Sequence, residues 1–513
     1  MRTTSPADHI WTLDLANERA TQDLARRIMS LVGPNDLITL SGDLGAGKTT
    51  FARALIRGLM KDDELEVPSP TFTLMQVYQS EHFPIVHADL YRIREPSELV
   101  ELGWDEAADG ALLLVEWAEK AGPLPADRLD ISFVLVNSLG PDRRIVTITG
   151  HGALGARVMR ERAIHALLAR SGWGDAARSY MQGDASVRAY ERLTKSDGSR
   201  AVLMISPPRP DGPPIRYGKS YSALARLAED IRPFIAIDQG LRAQSLSAPQ
   251  IFAFDAEAGL AVLEDFGALG VIDEKGPIAE RYAEAASVLA CLHARDLPVE
   301  LPVTDEENYY IPRYDVDALI IEVELILDWY APHIARSGLS SGARATFINL
   351  WKPLLEKVSA ARSTWTLRDY HSPNLIWLPE RDGLQRVGII DFQDCVQGHP
   401  SYDLVSLLQD ARVDVPDELE LKLLGQYTRQ RRQDTPDFDV TEFARSYAIM
   451  GAQRATKILG IFARLDRRDG KPHYLAHLPR VERYLAKDLS HPDLASLRAW
   501  YAEYLPRAIT SHA

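Results

Sequence analysis

"SGDLGAGKTT", Ser41–Thr50, follows the apolar run "DLITL" (Asp36–Leu40) and runs into the helix-forming "TTFARALIRGLM" (Thr49–Met60). Gly42, Gly47, Lys48 and Thr49 satisfy G-x-x-x-x-G-K-[ST] in the strand–loop–helix setting that the pattern requires. Glycines there let backbone N–H groups wrap an anion at a helix N-terminus. Gly42, Asp43, Leu44, Gly45, Ala46, Gly47, Lys48, Thr49 and Thr50 are thus the expected nucleotide-binding loop. Lys48 is expected to reach the outer phosphates and the Thr49 hydroxyl to bind Mg²⁺.

A magnesium site of this kind also needs a carboxylate at the end of a neighbouring strand. Asp89, after "PIVHA" (Pro84–Ala88), and Glu116, after "ALLLV" (Ala111–Val115), both qualify. No Asn-Lys-x-Asp guanine-reading motif follows the loop, which points to adenine and hence ATP. Short apolar runs alternating with helical stretches over about the first 150 residues predict a parallel α/β sheet. "RIVTITG" (Arg144–Gly150) is expected to close it as an edge strand, with the Gly-rich "HGALGAR" as a joint and a domain boundary near residue 155.

At 513 residues the chain is too long for one ordinary core. Its apolar runs are strand-sized, which predicts no membrane span, and the start "MRTTSPADHIWTLDL" lacks a signal-peptide pattern. Cys291 and Cys395 are the two cysteines, giving neither a disulfide framework nor a zinc set, so a cytoplasmic location is expected. Net charge is −14: residues 1–150 hold 14 Lys+Arg against 23 Asp+Glu, or −9, leaving −5 for the rest. An acidic first half is not expected to bind RNA directly and tightly, although a local basic patch could hide in the sum.

The remainder reads as a small mixed lobe, about 175–270, then a helical lobe, about 271–513. Within the second lies "LRDYHSPNL" (Leu367–Leu375), where Asp369 and Asn374 have the spacing of a kinase base and its metal-binding Asn. "VGIIDFQD" then supplies Asp391 as a second metal ligand, and "GHPSYDLVSLL" supplies Asp403, read as a structural acid bracing the loop. Leu367 stands where such loops carry a packing His. "EDFG" (Glu264–Gly267) precedes the catalytic loop, so Asp265 is read as inter-lobe structure and not as a metal ligand. Met204 occupies the place of a phosphate-pairing Lys in "RAVLMISPP". Arg188, Arg192 or Lys195 of the "GDASVRAYERL" hairpin, with Gly183 in its turn, could replace it; Arg188 is the candidate carried forward. Asp391 runs straight into "GHPSYDLVSLLQD", which leaves no peptide platform and favours a small-molecule hydroxyl as acceptor.

Two resemblances follow. "GDLGAGKTTF", "VPSPTFTLMQVY", "HADLYRI" and "LLLVEWAE" resemble the TsaE family, the ATPases of bacterial tRNA threonylcarbamoyladenosine synthesis, over about residues 12–150. The resemblance implies a P-loop NTPase fold with ATP at Gly42–Thr50 and Mg²⁺ on Thr49 and Glu116. It further implies Asp89 in hydrolysis, Ser69–Thr73 as a switch-like segment, and TsaB/TsaD-like threonylcarbamoyltransferase proteins as partners. "GDASVRAYERL", "AVLMISPP", "LRDYHSPNLIWL", "GIIDFQDCVQGHPSYDLVSLLQDAR" and "KILGIFARLDRRDGKPHYL" resemble the AmgK family over about residues 160–505. This implies a two-lobed α+β, protein-kinase-like aminoglycoside phosphotransferase fold. The implied activity is ATP-dependent phosphorylation of the anomeric hydroxyl of N-acetylmuramate or N-acetylglucosamine in cell-wall recycling, with Asp369 as base and Asn374 and Asp391 on Mg²⁺. His371, beside the base, could touch substrate or pack, and packing is the reading carried forward. The expected domains are therefore 1–155 and 156–513. Rival readings make the second a nucleotide-binding scaffold or an antibiotic-modifying phosphotransferase.

Overall fold

The computed structural model describes residues 9–510 apart from 137, 139–141, 182–187 and 209–211. Gly183, assigned above to a phosphate-covering hairpin, lies outside the described residues. The chain divides into two compact units, Met1–Ala169 and Arg170–Ala513.

The first unit is built on β1 (Ile10–Leu15), β2 (Leu37–Ser41), β3 (Met75–Gln79), β4 (Pro84–Asp89), β5 (Leu112–Glu116), β6 (Arg128–Leu135) and β7 (Arg144–His151), in the sheet order β1-β7-β6-β2-β5-β4-β3. β2 runs parallel to β5 and β6, and β4 parallel to β5. β2 and β5, apolar over most of their length and largely buried, lie in the interior of this sheet, as strands covered on both faces must. Helix α1 (Glu18–Met29) starts at Asn17, whose Oδ1 accepts the Ala20 N–H at 3.0 Å. Helix α2 (Lys48–Met60) buries Phe51, Ala52, Leu55 and Ile56, one face of a 3.6-residue period. Short helices α3 (Glu98–Glu101) and α4 (Trp104–Ala108) precede β5. The register sets Asp89 opposite Glu116 and Leu40 opposite Glu116, so the C-terminal ends of β2, β4 and β5 meet where the glycine loop begins.

Two expectations need correction. β7 is not an edge: β1 pairs along it from Ile10↔Thr149 to Leu15↔Arg144, with Trp11 and Leu15 buried, so β1 and β3 flank the sheet. "HGALGAR" is not a joint. His151 ends β7, Gly152 at φ +61° turns the chain, and helix α5 (Gly152–Arg170) begins at once. A Cβ on Gly150 would meet the Gly155 Cα at 2.5 Å, so these glycines serve close backbone packing. Leu154 and Val158 join the first unit's core, which moves the division from near residue 155 to Ala169/Arg170.

The second unit opens with an antiparallel sheet of β8 (Ala177–Met181), β9 (Ala189–Thr194), β10 (Arg200–Ile205), β11 (Ile251–Asp255) and β12 (Leu260–Glu264), ordered β11-β12-β10-β9-β8. Helices α6 (Tyr221–Ala225) and α7 (Arg232–Ala243) lie between β10 and β11. Helices dominate thereafter, around the long helix Val440–Asp469. Asp439 caps that helix through the N–H groups of Thr441 and Glu442, and Gly470 at φ +65° ends it. Two small antiparallel strand pairs, Thr364–Thr366 with Val396–Gly398 and Leu375–Trp377 with Val387–Ile389, carry the loop holding Asp369. The architecture is a P-loop-like α/β unit followed by a two-lobed kinase-like unit. Among the described residues, no helix is long and apolar enough to cross a membrane.

Candidate active sites

In the first unit the loop Gly42–Gly47 joins β2 to α2. Gly42 sits at φ +133°, and a Cβ there would strike the Phe133 carbonyl oxygen at 2.4 Å, so only glycine fits. Lys48 is buried. Its Nζ donates to the Gly42 oxygen (2.7 Å) and the Asp43 oxygen (3.1 Å), and stands 4.7 Å from the centre of the Trp117 ring. Thr49 Oγ1 donates to Glu116 Oε1 at 2.9 Å, and His87 Nε2 lies 3.3 Å from the same oxygen. Asp89 is buried; its Oδ2 accepts from Thr71 Oγ1 (2.7 Å) and Ser69 Oγ (3.3 Å), and its Oδ1 from the Tyr91 N–H (3.0 Å). Phe72, beside them, is 81% exposed. The two strand-end carboxylates are thus separated in duty: Glu116 meets the loop hydroxyl, and Asp89 meets the Ser69–Thr71 segment. Hydroxyl and carboxylate oxygens are hard donors suited to Mg²⁺.

The second unit holds a cleft of about 760 Å³ bordered by Asp369, His371, Asn374, Asp391, Arg454 and Lys457 among others. The loop is braced from below. Buried Asp403 accepts the N–H groups of Leu367 (2.7 Å) and Arg368 (2.8 Å), as the structural-acid reading expected. Burial pushes its carboxyl up to about 7. Leu367 packs in the helical core, and the buried Arg368 pairs with Glu322. Arg368 and Asp391 both adopt left-handed backbone, φ +67° and +60°, a strain of the kind that concentrates at functional loops.

Above this brace, Asn374 Nδ2 donates to the Asp369 carbonyl (3.0 Å) and lies 3.5 Å from Asp391 Oδ2. Arg188 Nη1 and Gln393 Nε2 reach Asp391 Oδ1 at 2.8 and 2.9 Å. The Asp369 side chain remains 41% exposed to the cleft, and its Oδ1 is 3.7 Å from His371 Nε2. Burial pushes the Asp369 carboxyl up. The imidazole of His371 and the cations Lys457, Arg454 and Arg368 outweigh that and hold it below the ordinary range. Burial also raises Asp391, and the neighbouring Asp369 raises it further against the pull of Arg188. Burial pushes His371 down to about 4, so the ring is neutral near pH 7. The result is an ionised carboxylate open to the cleft, beside a second carboxylate and an amide able to hold a hard cation.

The three small-lobe cations separate clearly. Arg188 faces Asp391; Arg192 is tied to Asp265 at 3.0 Å; Lys195 lies over the Trp173 ring at 4.4 Å. Asp265 also accepts the Gly267 N–H at 2.9 Å, in keeping with its reading as local structure. His371 is packed, as expected, yet it also borders the cleft. Sequence reading missed Trp117 beneath Lys48, and Arg412, Arg454 and Lys457 on the cleft wall. The signal for the last two was present: Arg454, Lys457, Ile458 and Ile461 repeat at helical spacing, placing two cations on an apolar face.

Comparison with known proteins bears on both units. The family described as threonylcarbamoyl adenosine biosynthesis protein TsaE matches residues 15–145, and the phosphotransferase enzyme family matches residues 179–441. An N-acetylmuramate/N-acetylglucosamine kinase of Caulobacter vibrioides is 41% identical over 359 residues, which is 68% of this chain and 97% of that protein. The tRNA threonylcarbamoyladenosine biosynthesis protein TsaE of Rickettsia felis is 46% identical over 107 residues, 21% of this chain and 62% of that protein. Its counterpart in Rickettsia bellii is 38% identical over 136 residues, 26% of this chain and 92% of that protein. The chain therefore belongs to two families at once, its first unit to TsaE and its second to the phosphotransferase enzymes, within the group that holds the N-acetylmuramate/N-acetylglucosamine kinases.

Proposed function

We propose that the first unit hydrolyses ATP in support of tRNA threonylcarbamoyladenosine synthesis, and that the second phosphorylates the anomeric hydroxyl of N-acetylmuramate and N-acetylglucosamine. The observation carrying the second assignment is the convergence of Asp369, Asn374 and Asp391 on one cleft in a chain 41% identical to such a kinase. Asp369 accepts the proton of the acceptor hydroxyl as its oxygen attacks the terminal phosphoryl group of ATP, and ADP leaves. Asn374 and Asp391 would hold Mg²⁺, which when bound neutralises charge on the phosphates. Arg188, next to Asp391, supplies the cation that Met204 cannot.

In the first unit Gly42–Thr50 cradle ATP, with Lys48 on its outer phosphates. Thr49 and Glu116 would hold Mg²⁺, and Asp89 orients the attacking water while Ser69–Thr73 senses the phosphate state. TsaB/TsaD-like proteins are the partners, with tRNA met only through them, in keeping with the −9 charge of residues 1–150. The intact acidic set speaks against a mere scaffold. Arg412 and Arg454 on the acceptor side of the cleft speak against a polycationic antibiotic, which they would repel.

The test is transfer of ³²P from ATP to a panel of N-acetylmuramate, N-acetylglucosamine and aminoglycosides by the intact chain. Labelled amino sugar is expected. Label on the aminoglycosides alone, or on nothing, overturns the assignment.

A further inference from the structure

Arg454 lies on the helix Val440–Asp469, is only 5% exposed, and borders the cleft. Among the described residues, its guanidinium makes no hydrogen bond or ion pair, and it acts on Asp369 and Asp403 only through longer-range charge. A buried arginine normally has its fork of donors filled, because an unpaired buried charge is costly. Its neighbour Lys457 is already engaged, with Glu322 at 3.0 Å and the Tyr402 hydroxyl at 3.1 Å. Arg412 borders the same cleft. Its nearest side-chain polar contact is the Nε2 of His371, at 3.4 Å, an imidazole that carries no negative charge.

The acceptor side of the cleft thus presents two guanidinium groups without a carboxylate partner, close to Asp369. An uncharged sugar ring has no use for that much positive charge. N-acetylmuramate differs from N-acetylglucosamine by a lactyl ether on C3, a ring carbon separated from the anomeric carbon by C2, so that its carboxylate projects from the same end of the sugar. We propose that Arg454, assisted by Arg412, pairs with this carboxylate while Asp369 faces the anomeric hydroxyl. The pair of arginines then sets the preference between the two sugars, an inference that rests on the amino-sugar kinase reading. Ile458 and Phe462, on the same helix and also bordering the cleft, offer apolar surface to the lactyl methyl group.

The experiment measures kcat/KM of the full chain for N-acetylmuramate, its lactyl methyl ester and N-acetylglucosamine, in the parent and in Arg454→Gln and Arg412→Gln. A hydrogen bond to a charged group contributes about 1.5–3 kcal/mol, roughly 10–100-fold. The parent should lose about that factor on the ester. Arg454→Gln should lower the N-acetylmuramate to N-acetylglucosamine ratio by the same factor, mainly through KM, and erase most of the ester penalty. Equal losses on both sugars would assign Arg454 to the transferred phosphoryl group and overturn the proposal. A parent indifferent to the ester overturns it without any variant, so a poorly folding variant leaves the proposal testable. A parent that phosphorylates neither sugar overturns the kinase reading itself.

Discussion

In the first unit the glycines, the cation and the hydroxyl proposed to hold nucleotide phosphate and its Mg²⁺ come from one unbroken run, Gly42–Thr50, at the start of α2. In the second unit the corresponding groups come from separate places: Arg188 before β9, Asp369 and Asn374 between strands Thr364–Thr366 and Leu375–Trp377, Asp391 beyond β-strand Val387–Ile389, and Arg454 in a late helix. The cations differ most. Lys48 is folded back on its own loop carbonyls and waits beside the site, whereas Arg188 is held by the acid it would serve beside. A contiguous loop presents backbone N–H groups whose position follows from the local fold. An assembled cleft depends on the packing of distant segments, and it gains room for a second substrate. That difference matches the two proposed reactions, transfer of phosphate to water in one unit and to a sugar in the other.

The largest effect that can sharpen this comparison is at Asp369. Asp369→Asn keeps the shape and removes the proton acceptor, so sugar phosphorylation should fall about 10²–10⁴-fold. ATP binding should persist. Leu367→His alters only a packing neighbour and should cost far less, as steady-state transfer assays of both variants will tell. A near-normal rate in Asp369→Asn would remove the base from the assembled site.

Arg188→Ala comes next. Losing a charge-assisted contact to the phosphates should cost roughly 10–100-fold in sugar transfer. Arg192→Ala, whose partner is Asp265, should cost less. Reversal of that order would hand the role to Arg192.

A smaller effect concerns stability. Asp238 on α7 is buried, both carboxylate oxygens lack a hydrogen-bond partner among the described residues, and burial pushes its carboxyl up to about 8. A carboxyl raised in the folded state binds protons more tightly there than in the unfolded chain. It therefore costs stability increasingly from about pH 4 upward, levelling off above about pH 8. Asp238→Asn does not titrate. Its melting temperature in the second unit should exceed the parent's by a few degrees at pH 8 and differ little at pH 4.5, as calorimetry across that range can establish. A gap that does not widen with pH would mean the parent carboxyl is not raised.

Legibility in the sequence followed the same division. Gly42–Thr50 could be read as a candidate loop because its members are adjacent in sequence, whereas Glu116 and Trp117 reach it from the end of β5; Asp369, Asn374 and Asp391 could be read as a candidate set because order and spacing survive in a loop. Arg454 could not be assigned to the cleft, since nothing local brings Val440–Asp469 against the Asp369 loop; only long-range packing does. β7 was misplaced at an edge because its partner β1 comes from the opposite end of the unit's sequence. The glycines of "HGALGAR" suggested looseness, yet Gly150 and Gly155 are small because two backbones touch there. The choice among Arg188, Arg192 and Lys195 needed the structure, because Arg188 and Lys195 flank β9 while Arg192 lies within it, and the three point to different partners.

The most direct test of two separate phosphate chemistries in one chain is a single reaction with γ-labelled ATP and N-acetylglucosamine. Label in free phosphate and label in sugar phosphate are counted side by side for the parent, Lys48→Ala and Asp369→Asn. The account predicts that Lys48→Ala abolishes the sugar-independent release of phosphate and spares sugar labelling, while Asp369→Asn does the reverse. Loss of both products in either variant would contradict it.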